Sequence, residues 1–169
     1  MNPILTAGVA IGVLCGTCTF LMGLTGWYKD PSKAPIFYVA VIAIEIAGLV
    51  WGLRRTAAEG RPYRGQIVDG TLMAVVAGVV IVAASLLFST VAYPGYLSEL
   101  EATQRAALAA QGQAPADVER AIADLRVSST PMAMAMSGFI GTLVTGILAS
   151  AVIALFVRAR APRPYPAER

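Results

Sequence analysis

Apolar and polar positions in this chain fall in long blocks. Apolar residues run almost unbroken through about 4–27, 36–53, 71–92 and 131–157, and a single long polar stretch, 93–130, separates the third block from the fourth. At about 1.5 Å of rise per residue, a helix of roughly 18 or more apolar residues crosses a hydrocarbon core of about 30 Å. The pattern predicts an all-α integral membrane protein. It consists of one domain of four transmembrane helices, an extracytoplasmic helical hairpin between spans three and four, and a loose cytoplasmic tail at 158–169.

The polar stretch carries helix signals of its own. Pro94-Gly95 marks a turn. Ser98 and Glu101 have the spacing of a capping box, and Leu97, Leu100 and Leu108 share one helical face, so a helix is expected over about 97–111. Residues 112–115 break it. Pro115 suits the first turn of a second helix, with Asp117 and Glu119 near its start and Arg126 near its end. Val118, Ile122 and Leu125 form its apolar stripe over about 115–127. Thr130 and Pro131 have the chemistry of N-cap and first residue of span four. The proline-broken link 29–35 makes spans one and two antiparallel neighbours, and residues 54–70 are read as the connection to span three.

Within the apolar blocks, small residues recur at helical spacing: Gly8, Gly12 and Gly16 in span one, Gly48 and Gly52 in span two, and Gly70, Ala74 and Gly78 entering span three. Span four carries Gly138, Gly141 and Gly146. Such strips let helix backbones approach closely. They are read as packing faces, turned to a neighbouring span or to a second subunit.

Charge decides orientation more than partner. Only 14% of the 169 residues are charged, against about 25% in an ordinary soluble domain. The formal net charge of +3 comes from arginines at the ends of apolar blocks, where topology explains them better than nucleic acid does. Arg54, Arg55, Arg61 and Arg64 lie between spans two and three, and Arg158, Arg160, Arg163 and Arg169 in the tail. Lys29, Lys33, Arg105, Arg120 and Arg126 lie on the other side, mostly within the polar stretch. By the positive-inside rule both termini are expected in the cytoplasm and the hairpin outside. The start of the chain lacks a basic region and a small-residue cleavage site, so the first span is expected to be retained.

Candidate chemistry is sparse. The chain has no histidine, the usual metal ligand and neutral-pH base, and shows no nucleophile with a base, paired carboxylates or phosphate-binding loop. No enzyme activity and no cofactor are expected. Glu45 is read as the one ionisable group near the middle of a span, an expensive position and a functional candidate by default. Its depth matches Cys15 and Cys18, Ser85, and Thr142 and Thr145. With no basic residue at that level, a neutral acid hydrogen-bonded to a hydroxyl or carbonyl is one reading, and a proton or cation relay is the other. Cys15-Gly16-Thr17-Cys18 spells a CxxC, but mid-helix thiols in hydrocarbon pack as small apolar groups. Met132, Met134 and Met136 are soft donors, of which only the first and third share a helical face. Ordinary packing is the expectation for both sets.

Three stretches in order, GQIVDGTLMAVVAG, ATQRAALAAQGQAPADVERAI and SGFIGTLVTGILASAVIALFVRAR, with Pro131 before the last, resemble the bacterial membrane-protein family known as domain of unknown function 4199. The resemblance spans nearly the whole chain and implies four spans with an external helical insertion. It implies no activity and transfers no site residue. The functional expectation is a non-enzymatic assembly, scaffold or accessory subunit in the inner membrane, touching lipid and other membrane subunits or a second copy of itself. A small proton- or cation-coupled transporter or channel using Glu45 is the alternative.

Overall fold

A computed structural model describes residues 2–157; the expected tail 158–169, with its four arginines, lies outside the described residues. Six α-helices are present among those residues: α1 Pro3–Leu24, α2 Ala34–Ala58, α3 Tyr63–Leu87, α4 Tyr96–Ala110, α5 Pro115–Ser128 and α6 Pro131–Phe156. Four of them, α1, α2, α3 with its extension to Ala92, and α6, are long and apolar enough to cross a membrane.

Local chemistry sets most of the boundaries. The Asn2 side chain accepts a hydrogen bond from the Ile4 backbone N–H at 3.0 Å, and Pro3 occupies the first turn of α1. Thr130 caps α6 in the same way, accepting from Ala133 N–H at 3.2 Å, with Pro131 next. Gly26 (φ 68°) and Gly112 (φ 74°) adopt the left-handed backbone that releases the chain after α1 and α4. At its far end α3 widens into a π turn over Phe88–Ala92, closed by the Tyr93 N–H donating to the Phe88 carbonyl at 2.7 Å.

Two sequence expectations need correction. The stretch 54–70 is not a long connection: α2 continues to Ala58 and α3 begins at Tyr63, eight residues before the expected start of span three. Arg64, Gln66 and Asp69 lower the hydropathy of that segment, yet Gln66 and Asp69 are buried inside the bundle and stay helical. Nor do Ser98 and Glu101 form a capping box. Helix α4 starts two residues earlier, Ser98 Oγ donates to the Gly95 carbonyl at 2.8 Å, and the Glu101 carboxylate accepts from Arg126 at 2.5 and 2.8 Å.

Helix α3 is the centre of the bundle, with extensive packing on α1 and α6, while α2 and α6 touch much less. The glycines of α1 explain the closeness of its contact with α3. A Cβ at Gly8 would lie 2.6 Å from Val76 Cβ, and one at Gly12 would lie 2.8 Å from the Ala77 carbonyl; Gly16 faces Ala84. Gly48 and Gly52 of α2 receive Ile11 and Met73, Gly78 of α3 receives Phe139, and Gly146 of α6 meets Ala74. These small-residue faces are therefore used within the chain.

The most tightly buried part of the core lies in one half of the bundle. Ala7, Ile11, Leu49, Leu53, Met73 and Ala77 are essentially inaccessible and lie toward the α2–α3 turn. Toward the other end the spans part, and the α4–α5 hairpin stands over them. Its two helices are held together by Arg126 and Arg105 on Glu101, by Arg105 on Glu119, and by the buried Val118 and Ile122.

Candidate functional site

Where the spans part they enclose a cavity of about 740 Å³. Helix α1 supplies Cys15, Thr19 and Met22, and α2 supplies Phe37, Tyr38, Val41 and Glu45. Ile81, Ser85 and Ser89 come from the α3 helix and its π turn, and Ser137, Gly138, Gly141, Thr142 and Thr145 from α6. Trp27, Tyr28, Asp30 and Lys33 from the α1–α2 link stand at the mouth, with Tyr96 and Leu100 of the hairpin. The volume falls in the ordinary range of small-molecule sites, about 300–1,000 Å³.

Glu45 lies at the inner end. Its residue exposure is 2%, and Oε1 is buried with no hydrogen-bond partner among the described residues. The expected bond to a hydroxyl or carbonyl is thus not made by that oxygen. Beyond Glu45 the way is closed by Leu49, Leu53 and Met73, each at 0% exposure. Glu45 thus lines the inner end of the cavity with an apolar plug behind it, and its Oε1 is turned to Gly146 of α6, where an added Cβ would lie 3.1 Å from that oxygen. An unpaired polar atom at such a place is costly unless something occupies the space beside it.

Several hydroxyl groups along the walls are committed, whereas those of Ser85, Thr142, Tyr38 and Tyr96 make no hydrogen bond among the described residues. Thr19, Ser89, Ser137 and Thr145 each donate their proton to a carbonyl of their own helix, at 3.3, 2.9, 2.9 and 2.8 Å. What they turn outward is lone pairs. The Cys15 thiol points to the Val41 carbonyl at 3.9 Å. The mouth is bound by a latch between the α1–α2 link and the hairpin, where Lys29 Nζ lies 2.8 Å from a Glu99 carboxylate oxygen and the Tyr28 hydroxyl donates to the same carboxylate. Lys29 and, next, the Tyr28 hydroxyl hold the Glu99 carboxyl below its usual range. Aromatic rings continue the latch inward: Tyr28 packs edge-on against Tyr96 at 4.9 Å between centroids, and Tyr96 against Phe88 at 5.2 Å.

Of the residues singled out in the sequence, Glu45, Cys15, Ser85, Thr142 and Thr145 are brought together around this one cavity, and Cys18 is not. Cys15 and Cys18 are free thiols. Gly138 lies against Ile81, where an added Cβ would stand 3.4 Å from Cγ2. A Cβ at Gly141 would meet nothing within 4 Å, and both glycines form cavity wall.

The sequence reading passed over a second buried polar group. Asp69, at 2% exposure, pairs with Arg61 through Nε at 3.4 Å, and Gln66, at 1%, donates from Nε2 to the carbonyls of Arg61 and Val157 at 3.1 and 3.0 Å. These residues knit the ends of α2, α3 and α6 at the closed end of the bundle. The signal was present in the i, i+3 spacing of Gln66 and Asp69 beside Gly70. No group of three or more metal-ligating side chains occurs among the described residues.

A family model described as "Protein of unknown function (DUF4199)" matches residues 6–159 of the chain. No curated protein and no solved structure matches it.

Proposed function

The chain belongs to the DUF4199 family, whose description assigns no activity, and from the geometry of its cavity we propose a small proton- or cation-coupled transporter in which Glu45 is the coupling group. The observation that carries this reading is Glu45 Oε1, buried and unpartnered at the inner end of a cavity between four membrane-length helices. The plug of Leu49, Leu53 and Met73 makes this the form open toward the hairpin alone, so passage requires movement of the helices around it. The thin contact between α2 and α6 is the natural place for that movement.

The protein is placed, in the same proposal, in the bacterial cytoplasmic membrane with both termini inside and the hairpin outside. The support is the arginine bias of the α2–α3 turn and the tail. On this placement the cavity opens outward. The protein is non-enzymatic and needs no cofactor. An assembly or accessory role would act through the small-residue strips and the hairpin, and the strips of α1, α2 and α3 meet side chains of this same chain.

The test is proton movement in proteoliposomes carrying a pH-sensitive dye, driven by an imposed gradient of a candidate cation, tried as an alkali ion and as an organic ammonium. Wild type should exceed protein-free vesicles, and Glu45→Gln, folded as wild type by circular dichroism and gel filtration, should fall to the vesicle background. Equal flux from both proteins refutes the role of Glu45. Zero flux from both, with a second membrane protein co-purifying in fixed ratio, supports the assembly role instead.

A further inference from the structure

Resting on that reading of the cavity, we infer that its ligand is a lipophilic organic amine in its ammonium form, bound with the nitrogen at Glu45 and the apolar body toward the mouth. Three independent features of the walls converge on this class.

The first is charge. Asp30 and Glu45 are the acidic residues of the lining, and Lys33 is the basic one. Lys33 stands at the mouth and is paired with Asp30 at 3.4 Å, which leaves Glu45 as the uncompensated site within. An anion would meet a carboxyl with no cation beside it among the described lining residues, whereas a cation would meet a buried partner.

The second is hydrogen-bond polarity. With the protons of Thr19, Ser89, Ser137 and Thr145 taken up by their own helices, the walls offer acceptors. A ligand that donates is matched there, and an ammonium donates up to three hydrogen bonds. A carboxylate or phosphate, which only accepts, is mismatched at these four positions, while the Ser85 and Thr142 hydroxyls beside Glu45 stay free to donate or accept.

The third is the apolar path. Trp27, Tyr28, Phe37, Tyr38, Phe88 and Tyr96 ring the outer part. Their faces suit both a hydrocarbon or aromatic body and a cation passing inward. Gly141, where a Cβ would meet nothing within 4 Å, leaves a bare patch of wall, giving the ligand width that a side chain would fill.

The proton balance ties the ligand to coupling. As the ammonium arrives, Glu45 gives up its carboxyl proton, which leaves through the mouth. The site then holds an ammonium and a carboxylate, and net charge is conserved: one cation enters and one proton departs.

Dansylcadaverine, a fluorescent lipophilic primary amine, and N-pentyl dansylamide, which has the same body without the amine, separate this assignment from simple greasiness. Each is titrated into the full-length protein in phosphatidylcholine nanodiscs. Binding is read by energy transfer from Trp27 and Trp51, against empty discs. The amine should bind saturably, and Glu45→Gln should weaken it about tenfold or more, the loss of one charge-assisted contact. The neutral analogue should bind more weakly and equally to both proteins. Gly141→Leu, which enters open space, should weaken both probes while leaving Glu45 in place.

Equal affinity of the two probes for wild type overturns the assignment, as does an amine affinity unchanged by Glu45→Gln. If Glu45→Gln does not fold, the comparison of the two probes on wild type still decides. Amine binding of the expected kind without proton flux in proteoliposomes keeps the ligand class and removes the transport reading. Proton flux without amine binding does the reverse.

Discussion

Replacing Gly8 with alanine adds one methyl group to the face of α1 that lies on α3. That carbon would stand 2.6 Å from Val76 Cβ, 2.7 Å from the Met73 carbonyl oxygen and 2.8 Å from Val76 Cγ1. None of these is the free end of a flexible side chain, so the two helices must move apart. Overpacking of this kind costs about 1–3 kcal/mol. Alanine also returns about 1 kcal/mol as a better helix former than glycine, so Gly8→Ala should destabilise by about 0–2 kcal/mol. Gly141→Ala supplies the control, because its methyl meets nothing within 4 Å. There the propensity gain acts alone and stability should rise by up to about 1 kcal/mol. The difference between the two variants cancels the propensity term and isolates packing, about 1–3 kcal/mol. Equilibrium unfolding in mixed micelles with increasing SDS, followed by the fluorescence of Trp27 and Trp51, measures both. If the two substitutions shift stability equally, the close α1–α3 approach is wrong.

Other perturbations follow from the same contacts. Below its ordinary value of 4.5 the Glu99 carboxyl should let go of Lys29 and Tyr28: its bound form titrates lower than the free one, so the latch is at full strength above that value and is lost as pH falls through the depressed one. The protection of α4 and α5 amides, taken relative to the intrinsic exchange rate at each pH, should fall in acid, and protection unchanged by acid would count against the latch. Gln66→Leu removes the donors for the Arg61 and Val157 carbonyls and should cost about 1–3 kcal/mol in the same unfolding assay; a neutral effect would mean that those carbonyls find other partners. For orientation, a cysteine at Glu59 in a Cys15→Ala, Cys18→Ala background should label only from the cytoplasmic side, and one at Ser98 only from outside. The reverse pattern would invert the proposed topology.

The number of long apolar helices, the hairpin and the caps at Thr130 and Pro115 were legible because each rests on local information: run length, a break at Gly112, a hydroxyl before a proline. The start of α3 was hidden by the same criterion. Hydropathy treats Gln66 and Asp69 as loop residues, and only the folded bundle shows Arg61 beside the Asp69 carboxylate and two backbone carbonyls accepting from Gln66 Nε2. Depth along the membrane placed Glu45 level with Cys15, Ser85, Thr142 and Thr145, but depth carries no lateral information and cannot say whether helices touch there or stand apart. For that reason the sequence left open what the strip at Gly138 and Gly141 faces. A stripe of small residues looks the same in sequence whether the neighbour fills it or a void does, and the large residues on the opposing helices decide which.

The π turn at Phe88–Ala92 has a consequence for the length of the chain. In a regular helix each residue advances the direction of the next by about 100°. A wide turn accommodates one residue more than the α-helix would, and so resets the direction in which the chain leaves the bundle. Deleting a single residue there would restore regular winding and swing the start of α4 by about 100° about the α3 axis. Tyr96 would be carried away from Phe88 and Tyr28, and Glu99 away from Lys29. The aim of the whole hairpin is thus set by one inserted position, and single-residue insertions or deletions, tolerated at the tip near Gly112, should not be tolerated at Phe88–Ala92.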